Sequence, residues 1–256
     1  MKKIDTKQLL DNEIVYRNRS VELTDNKPDP LMIAKKYNDE YISLICALFA
    51  YGNAKQIVKF LSSLDFSLLD CDENTIQKNL QNYYYRFQTI DDVIAIFIAL
   101  HRLKQTYSLE DIFYQGYKIN NNPIEGISSI IKAIKNSCEY NSDGYKFLIG
   151  NIPPKDKNGN IKLNISPYKR YNMFLRWVVR SDNLDMGLWS KVDKKDLILP
   201  LDTHTFKVSQ KLGLLDRKSY DLKSAILITE KLKEFDPQDP IKYDFAIYRL
   251  GQEGIV

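Results

Sequence analysis

Cysteine and histidine are scarce: Cys46, Cys71 and Cys138, with His101 and His204, are all that occur in 256 residues. The cysteines lie far apart, in or beside apolar segments, so neither a disulfide framework nor a zinc or iron–sulfur spacing is available. A reducing compartment, the cytoplasm, is expected. The histidines have no acidic or cysteine partner at ligand spacing, which argues against metal catalysis, and no cofactor is expected. No glycine-rich phosphate loop occurs, which sets aside nucleotide hydrolysis of the P-loop kind, and no serine sits in a Gly-x-Ser-x-Gly elbow. The start, Met1-Lys2-Lys3-Ile4-Asp5, has no apolar signal core, and no run is long enough to span a bilayer. Sustained period-two alternation is missing, as is any internal repeat. That leaves an all-α chain, of about ten to twelve helices at the usual helix length.

What is present supports a packed core. Hydrophobic residues make up 44%, and 37 Lys+Arg against 33 Asp+Glu leave a net charge of only +4, which neither requires nor excludes a nucleic-acid partner. The 17 tyrosines accompany abundant Lys, Asn and Ile, a genome-wide bias rather than evidence of stacking on bases. Residues 1–30 read as a short helix and an irregular lead-in, broken by Pro28 and Pro30. Ile42, Ile45, Leu48 and Phe49, then Ile57, Phe60, Leu61 and Leu64, give two helices separated by a tight turn at Gly52-Asn53. Thr89 caps an amphipathic helix to Gln105, Ser108 opens the next, and Pro123 starts a third through Ile134. The polar turn 153–160 is the best break in the chain. Lys218–Phe235 and Pro240–Gly251 read as closing helices. Residues 65–150 are expected to form one helical lobe. The other is expected to combine residues 1–64 with residues 151–256.

Two elements carry candidate chemistry. In Leu199-Pro200-Leu201-Asp202-Thr203-His204-Thr205-Phe206, Asp202 falls where a helix N-cap belongs, and Gly213 is placed to end that helix. Upstream, Ser166-Pro167-Tyr168-Lys169-Arg170 opens another helix with a lysine at its start. Lys169, Met173, Arg176 and Arg180 fall on one stripe, opposite Tyr171, Phe174, Leu175 and Val178. A basic stripe is usually a solvated face; beginning at a helix N-terminus, it also suits a nucleic-acid backbone. Trp177 and Trp189 read as core by default, with stacking on a base the lesser alternative.

The pair resembles the helix-hairpin-helix DNA glycosylase superfamily, the group that contains endonuclease III and the 8-oxoguanine glycosylases. Pro200-Leu201-Asp202-Thr203-His204 is similar to its aspartate motif. Lys169-x-x-Asn172-x-x-Leu175 is similar to the helix bearing the catalytic lysine of its bifunctional members. Tyr243-Asp244-Phe245-Ala246 with Leu250-Gly251 resembles its closing helix. The likeness is strongest over 163–251. Two features differ: Ile165-Ser166-Pro167 stands where the family hairpin reads Gly-Val-Gly, and residues 181–198 read as an insertion.

The resemblance implies a two-lobed helical fold and base excision from damaged double-stranded DNA, with an oxidised purine as the substrate class. It further implies Lys169 as a Schiff-base nucleophile and Asp202 as its electrostatic partner. DNA contacts are expected from Ser166, Tyr168, Arg170, Arg176, Arg180 and His204, and from Gly52 and Asn53 near the opened base pair. A monomer is expected, without membrane association. Two other readings stand beside this one: a DNA-binding module of the same fold without chemistry, and a helical protein-interaction domain.

Overall fold

The computed structural model describes residues 5–256; Met1–Ile4, part of the segment inspected for a signal core, lie outside the described residues. The chain is all-α. Among the described residues there are thirteen α-helices and four short 3₁₀ turns, and β pairing is limited to isolated bridges. No described helix is long and apolar enough to cross a membrane. Contacts divide the chain into a central unit, Pro28–Pro154, and a discontinuous unit in which the segment ending at Lys27 joins Lys155–Val256.

The first helix, α1 (Thr6–Arg17), belongs to the discontinuous unit. The central unit then holds α2 (Leu31–Tyr37), α3 (Glu40–Leu48), α4 (Ala54–Ser63), α5 (Glu73–Asn79), α6 (Ile90–Lys104), α7 (Leu109–Tyr117), α8 (Pro123–Ser137) and α9 (Asp143–Ile149). Short polar side chains start these helices: Asp39 accepts from the Ile42 N–H, Thr89 and Asp92 form a reciprocal capping box, and Asn122 precedes Pro123 at the start of α8. α6 is buried along most of its length, with Val93, Phe97 and Leu100 fully enclosed.

Residues 28–64 do not join the C-terminal segment as the sequence suggests; they lie in the central unit. The reason is specific pairing. The Tyr41 hydroxyl donates to the Tyr107 carbonyl at 2.8 Å, and the Glu40 carboxylate accepts from the first N–H groups of α7 at 2.8 and 3.2 Å. Phe49 and Tyr85 both pack on Phe60, with ring centroids 5.0 and 4.7 Å away. These contacts satisfy backbone groups and bury rings that periodicity alone leaves unassigned.

In the discontinuous unit, α10 (Lys169–Val179), α11 (Thr203–Lys211), α12 (Leu222–Lys233) and α13 (Asp244–Gln252) follow. α1 is fastened to α13 by Arg17, whose guanidinium meets the Glu253 carboxylate through two bonds of 3.0 and 2.8 Å. The Tyr243 hydroxyl adds a bond of 2.9 Å to Asp11, and Thr6 donates to the Leu212 carbonyl at 3.1 Å. α10 is the core of this unit, since every residue from Tyr171 to Val179 is buried. Residues 181–198 fold back on its C-terminal end: the Met186 and Trp189 N–H groups donate to the Trp177 and Val178 carbonyls, each at 2.8 Å. Trp177 and Trp189 are both core residues, and Trp189 meets Phe174 edge-on at 5.3 Å.

Candidate functional site

The turn before α10 is built around Tyr168, which takes φ 50° and ψ 39°, a left-handed conformation that glycine adopts without steric cost. A tyrosine thus supplies here the backbone shape for which a glycine is the ordinary choice. Asn172 holds the turn from inside the helix: its Nδ2 donates to the Pro167 carbonyl at 2.9 Å, and its backbone N–H donates to the Tyr168 carbonyl at 2.9 Å. Lys169 is the first residue of α10 and is half-buried. The Tyr168 side chain makes no cap hydrogen bond at this helix start, and among the described residues Lys169 makes no ion pair. Ser166 is exposed and Arg170 half-buried, while burial pushes the Tyr168 hydroxyl up to about 12.

Asp202 is the N-cap of α11, its Oδ1 accepting from the Thr205 N–H at 2.8 Å. That is the one hydrogen bond its side chain makes among the described residues, so Oδ2 lies outside the cap. The preceding Leu201 is fully buried and its carbonyl accepts from the Tyr220 hydroxyl at 2.7 Å, which fixes the approach to the cap. Burial and then the charge of Asp202 raise that hydroxyl to about 12. His204 is exposed in the first turn. α11 packs tightly on α13 at Gly251, where an added Cβ would stand 2.8 Å from Val208 Cγ2 and 3.1 Å from His204 Cβ. α10 reaches the same α13 through Arg176, whose Nη1 donates to Asp244 Oδ2 at 2.6 Å. The helices bearing Lys169 and Asp202 therefore rest on one common support.

Asp244 links the two sides electrostatically. It is buried, and its carboxyl is pushed up to about 6, first by burial, against the pull of Arg176, with the charge of Asp202 adding to the rise. In the sequence Asp244 belongs to a closing helix and carries no mark of a chemical part.

Arg176 and Arg180 do not form a basic face. They are 5% and 6% exposed and lie in a buried ion network. Arg176 also donates from Nε to Asp185 at 3.2 Å. Arg180 grips Asp239 through two bonds of 2.8 and 3.1 Å, meets Asp182 at 3.1 Å and bonds Asp185 through Nη1. Burial opposes the charge of Arg180, yet Asp239 and Asp185 hold its pKa above the ordinary value. Assigning these two arginines to DNA phosphates is thus corrected: both are buried against Asp182, Asp185, Asp239 and Asp244 and present no solvent face. The available signal was the enclosure itself, since a helix reading Tyr-Asn-Met-Phe-Leu-Arg-Trp-Val-Val leaves an arginine only internal partners. Asp182, Asp185 and Asp239 come from loops and carry no periodic mark.

Gly52 and Asn53 belong to the central unit, where Asn53 caps α4 by accepting from the Lys55 and Gln56 N–H groups. The structure thus assembles Lys169, Asp202, Tyr168, Arg170 and His204 within one unit and Gly52 and Asn53 within the other.

No curated protein and no solved structure matches the chain. A family model described as a protein of unknown function, DUF2400, matches residues 29–253. The chain belongs to that family.

Proposed function

For this member of a family of unknown function, we propose a two-lobed helix-hairpin-helix DNA glycosylase that removes a damaged base from double-stranded DNA and cleaves the resulting abasic strand. An oxidised purine such as 8-oxoguanine is the substrate class, and a monomer in the cytoplasm is the expected form. The observations that support this reading are a lysine at the start of α10 that makes no ion pair among the described residues and an N-cap aspartate that keeps one oxygen outside its cap, on two helices that both meet α13.

The chemistry follows from those groups. As the base leaves C1′ of the deoxyribose, positive charge builds on the sugar, and the Asp202 carboxylate stabilises it. The Lys169 nitrogen attacks C1′ through its lone pair and gives up a proton, while the departing base keeps the electrons of the glycosidic bond and takes up a proton. Opening of the sugar ring gives a Schiff base, and loss of a C2′ proton expels the 3′ phosphate by β-elimination. The base must first leave the stack. Withdrawal of Arg176 and Arg180 from the surface favours an enzyme over a pure binding module, because α10 then offers only Lys169 and Arg170 to a phosphate backbone.

The test is base release from a panel of duplexes, each with one damaged base. Release of an oxidised purine, slowed about 10²–10³-fold in Asp202→Asn, is the expected result. Binding of every duplex without release from any would transfer the fold to the non-catalytic reading.

A further inference from the structure

A second surface lies in the central unit, at Tyr83-Tyr84-Tyr85-Arg86-Phe87. Tyr85 and Gln88 exchange backbone hydrogen bonds of 3.2 and 2.9 Å, so the chain reverses with Arg86 and Phe87 at the tip. Arg86 holds φ 58°, the left-handed region that L side chains seldom adopt. Tyr85 anchors the turn: its ring stacks on Phe60 at 4.7 Å and its hydroxyl donates to the Tyr51 carbonyl at 2.9 Å. Its neighbours point outward. Tyr84 is 68% exposed, Phe87 52% and Phe147 43%. Phe87 and Phe147 meet at 4.8 Å and both rest on Tyr51, at 5.7 and 5.0 Å, so the exposed rings have a packed backing.

Cations flank these rings. The Arg86 guanidinium lies 5.8 Å from the Tyr51 ring centre and occupies the space where a side chain at Gly52 would stand. Gly52 has φ 101°, so this position needs glycine both for its backbone and for the guanidinium. Beside it is a groove of about 400 Å³ lined by Asn53, Gln56, Lys59, Tyr84 and Arg86. Lys55 and Lys59 are exposed, and residues 51–64 and 81–90 contain no Asp or Glu; the helix of Phe147 carries one exposed acid, Asp143, which Lys146 meets at 3.7 Å. Exposed rings on a firm backing, with three cations and no acid in these two segments, complement a polyanion that has flat apolar faces.

We infer that Tyr84, Phe87 and Phe147, with Arg86, Lys55 and Lys59, form a binding surface for unpaired nucleic-acid strand. Bases stack on the rings and phosphates pair with the cations. Stacking of this kind tolerates any base, so the surface grips strand without reading sequence. Nothing in it requires Lys169 or base excision.

The test is fluorescence anisotropy of a labelled oligothymidylate titrated with the full chain over a range of salt. Tyr84→Ala and Phe87→Ala should each weaken binding about tenfold. Phe87→Tyr, which keeps a ring, should restore it. Tyr84→Ala should leave the melting temperature in place, whereas Phe87→Ala gives up ring contacts with Tyr51 and Phe147 and should lower it slightly, so for Phe87 the ring-keeping tyrosine is the control. Lys59→Gln should flatten the slope of log affinity against log salt by about 0.7. A chain that binds strand in this way yet releases no base retains the surface and loses the glycosylase reading. Absence of binding at low salt, or unchanged affinity in both alanine variants, overturns the proposal. So does a change in oligomeric state in those variants with strand affinity intact, which would assign the patch to a second copy of the chain.

Discussion

Replacing Arg180 with alanine separates a buried ion network from a DNA-facing stripe. In the folded chain the guanidinium is 6% exposed and answers Asp239 through two bonds, Asp182 at 3.1 Å and Asp185. Its removal leaves three carboxylates facing one another, with Arg176, already shared with Asp244, to offset Asp185 and the exposed Lys194, 3.5 Å away, to offset Asp239. Breaking a buried pair from one side costs about 3–5 kcal/mol, a large part of the roughly 5–15 kcal/mol that holds a typical domain together. At roughly 2–4 °C per kcal/mol the melting temperature should fall by roughly 6–20 °C. A surface arginine would cost no more than about 0.5 kcal/mol. Urea unfolding followed by far-UV circular dichroism, with duplex binding measured beside it, provides the readout. Arg180→Lys keeps the charge but not the planar fork, and should fall between the wild type and alanine. An alanine variant as stable as the wild type, with weaker duplex binding and a shallower salt slope, would refute the network and return Arg180 to the DNA face.

Asp244 makes a pH prediction. Its folded carboxyl titrates near 6 against an ordinary 3.8, so the folded state binds the extra proton. The stability it contributes is fully present below about 3.8 and is lost as pH rises through about 6, by up to about 3 kcal/mol. Asp244→Asn should remove that decline from the urea midpoints across this window, and an unchanged decline would show that another group titrates there. Asn172→Ala strands the Pro167 carbonyl and should cost about 1–3 kcal/mol by chemical unfolding. It should also reduce base release, because the turn that sets Lys169 loosens; full activity at reduced stability would contradict that role. Gly52→Ala forces a side chain into the place of the Arg86 guanidinium at a positive φ. It should cost about 1–3 kcal/mol and weaken oligothymidylate binding, and a neutral outcome would remove Arg86 from the surface.

How much of this was legible in the sequence depended on whether the signal was local. The start of α6 at the Thr89–Asp92 box, the cap at Asp202 and the opening of α8 at Pro123 are read from a few adjacent residues, because capping chemistry acts within one turn. Membership of a lobe was not local. Residues 28–64 are drawn into the central unit by Glu40 capping α7 and by Phe60 packing on Tyr85, pairings that no periodicity encodes. The arginines failed differently. Arg176 and Arg180, one helical turn apart, suit either solvent or a set of buried carboxylates, and those carboxylates lie in loops at Asp185 and Asp239. The turn at Tyr168 was equally hidden: Ser166-Pro167 does not announce a left-handed residue, and only the folded backbone shows that Tyr168 adopts the conformation expected of glycine.

In the proposed reaction Lys169 forms a covalent intermediate with DNA beside Asp202. Borohydride reduction of the full chain incubated with a duplex carrying one abasic site tests it most directly, since reduction fixes a Schiff base permanently. A trapped protein–DNA adduct is expected in the wild type and its disappearance in Lys169→Gln, with duplex binding largely retained. An adduct that persists in Lys169→Gln, or a wild type that yields none on any substrate, would contradict it.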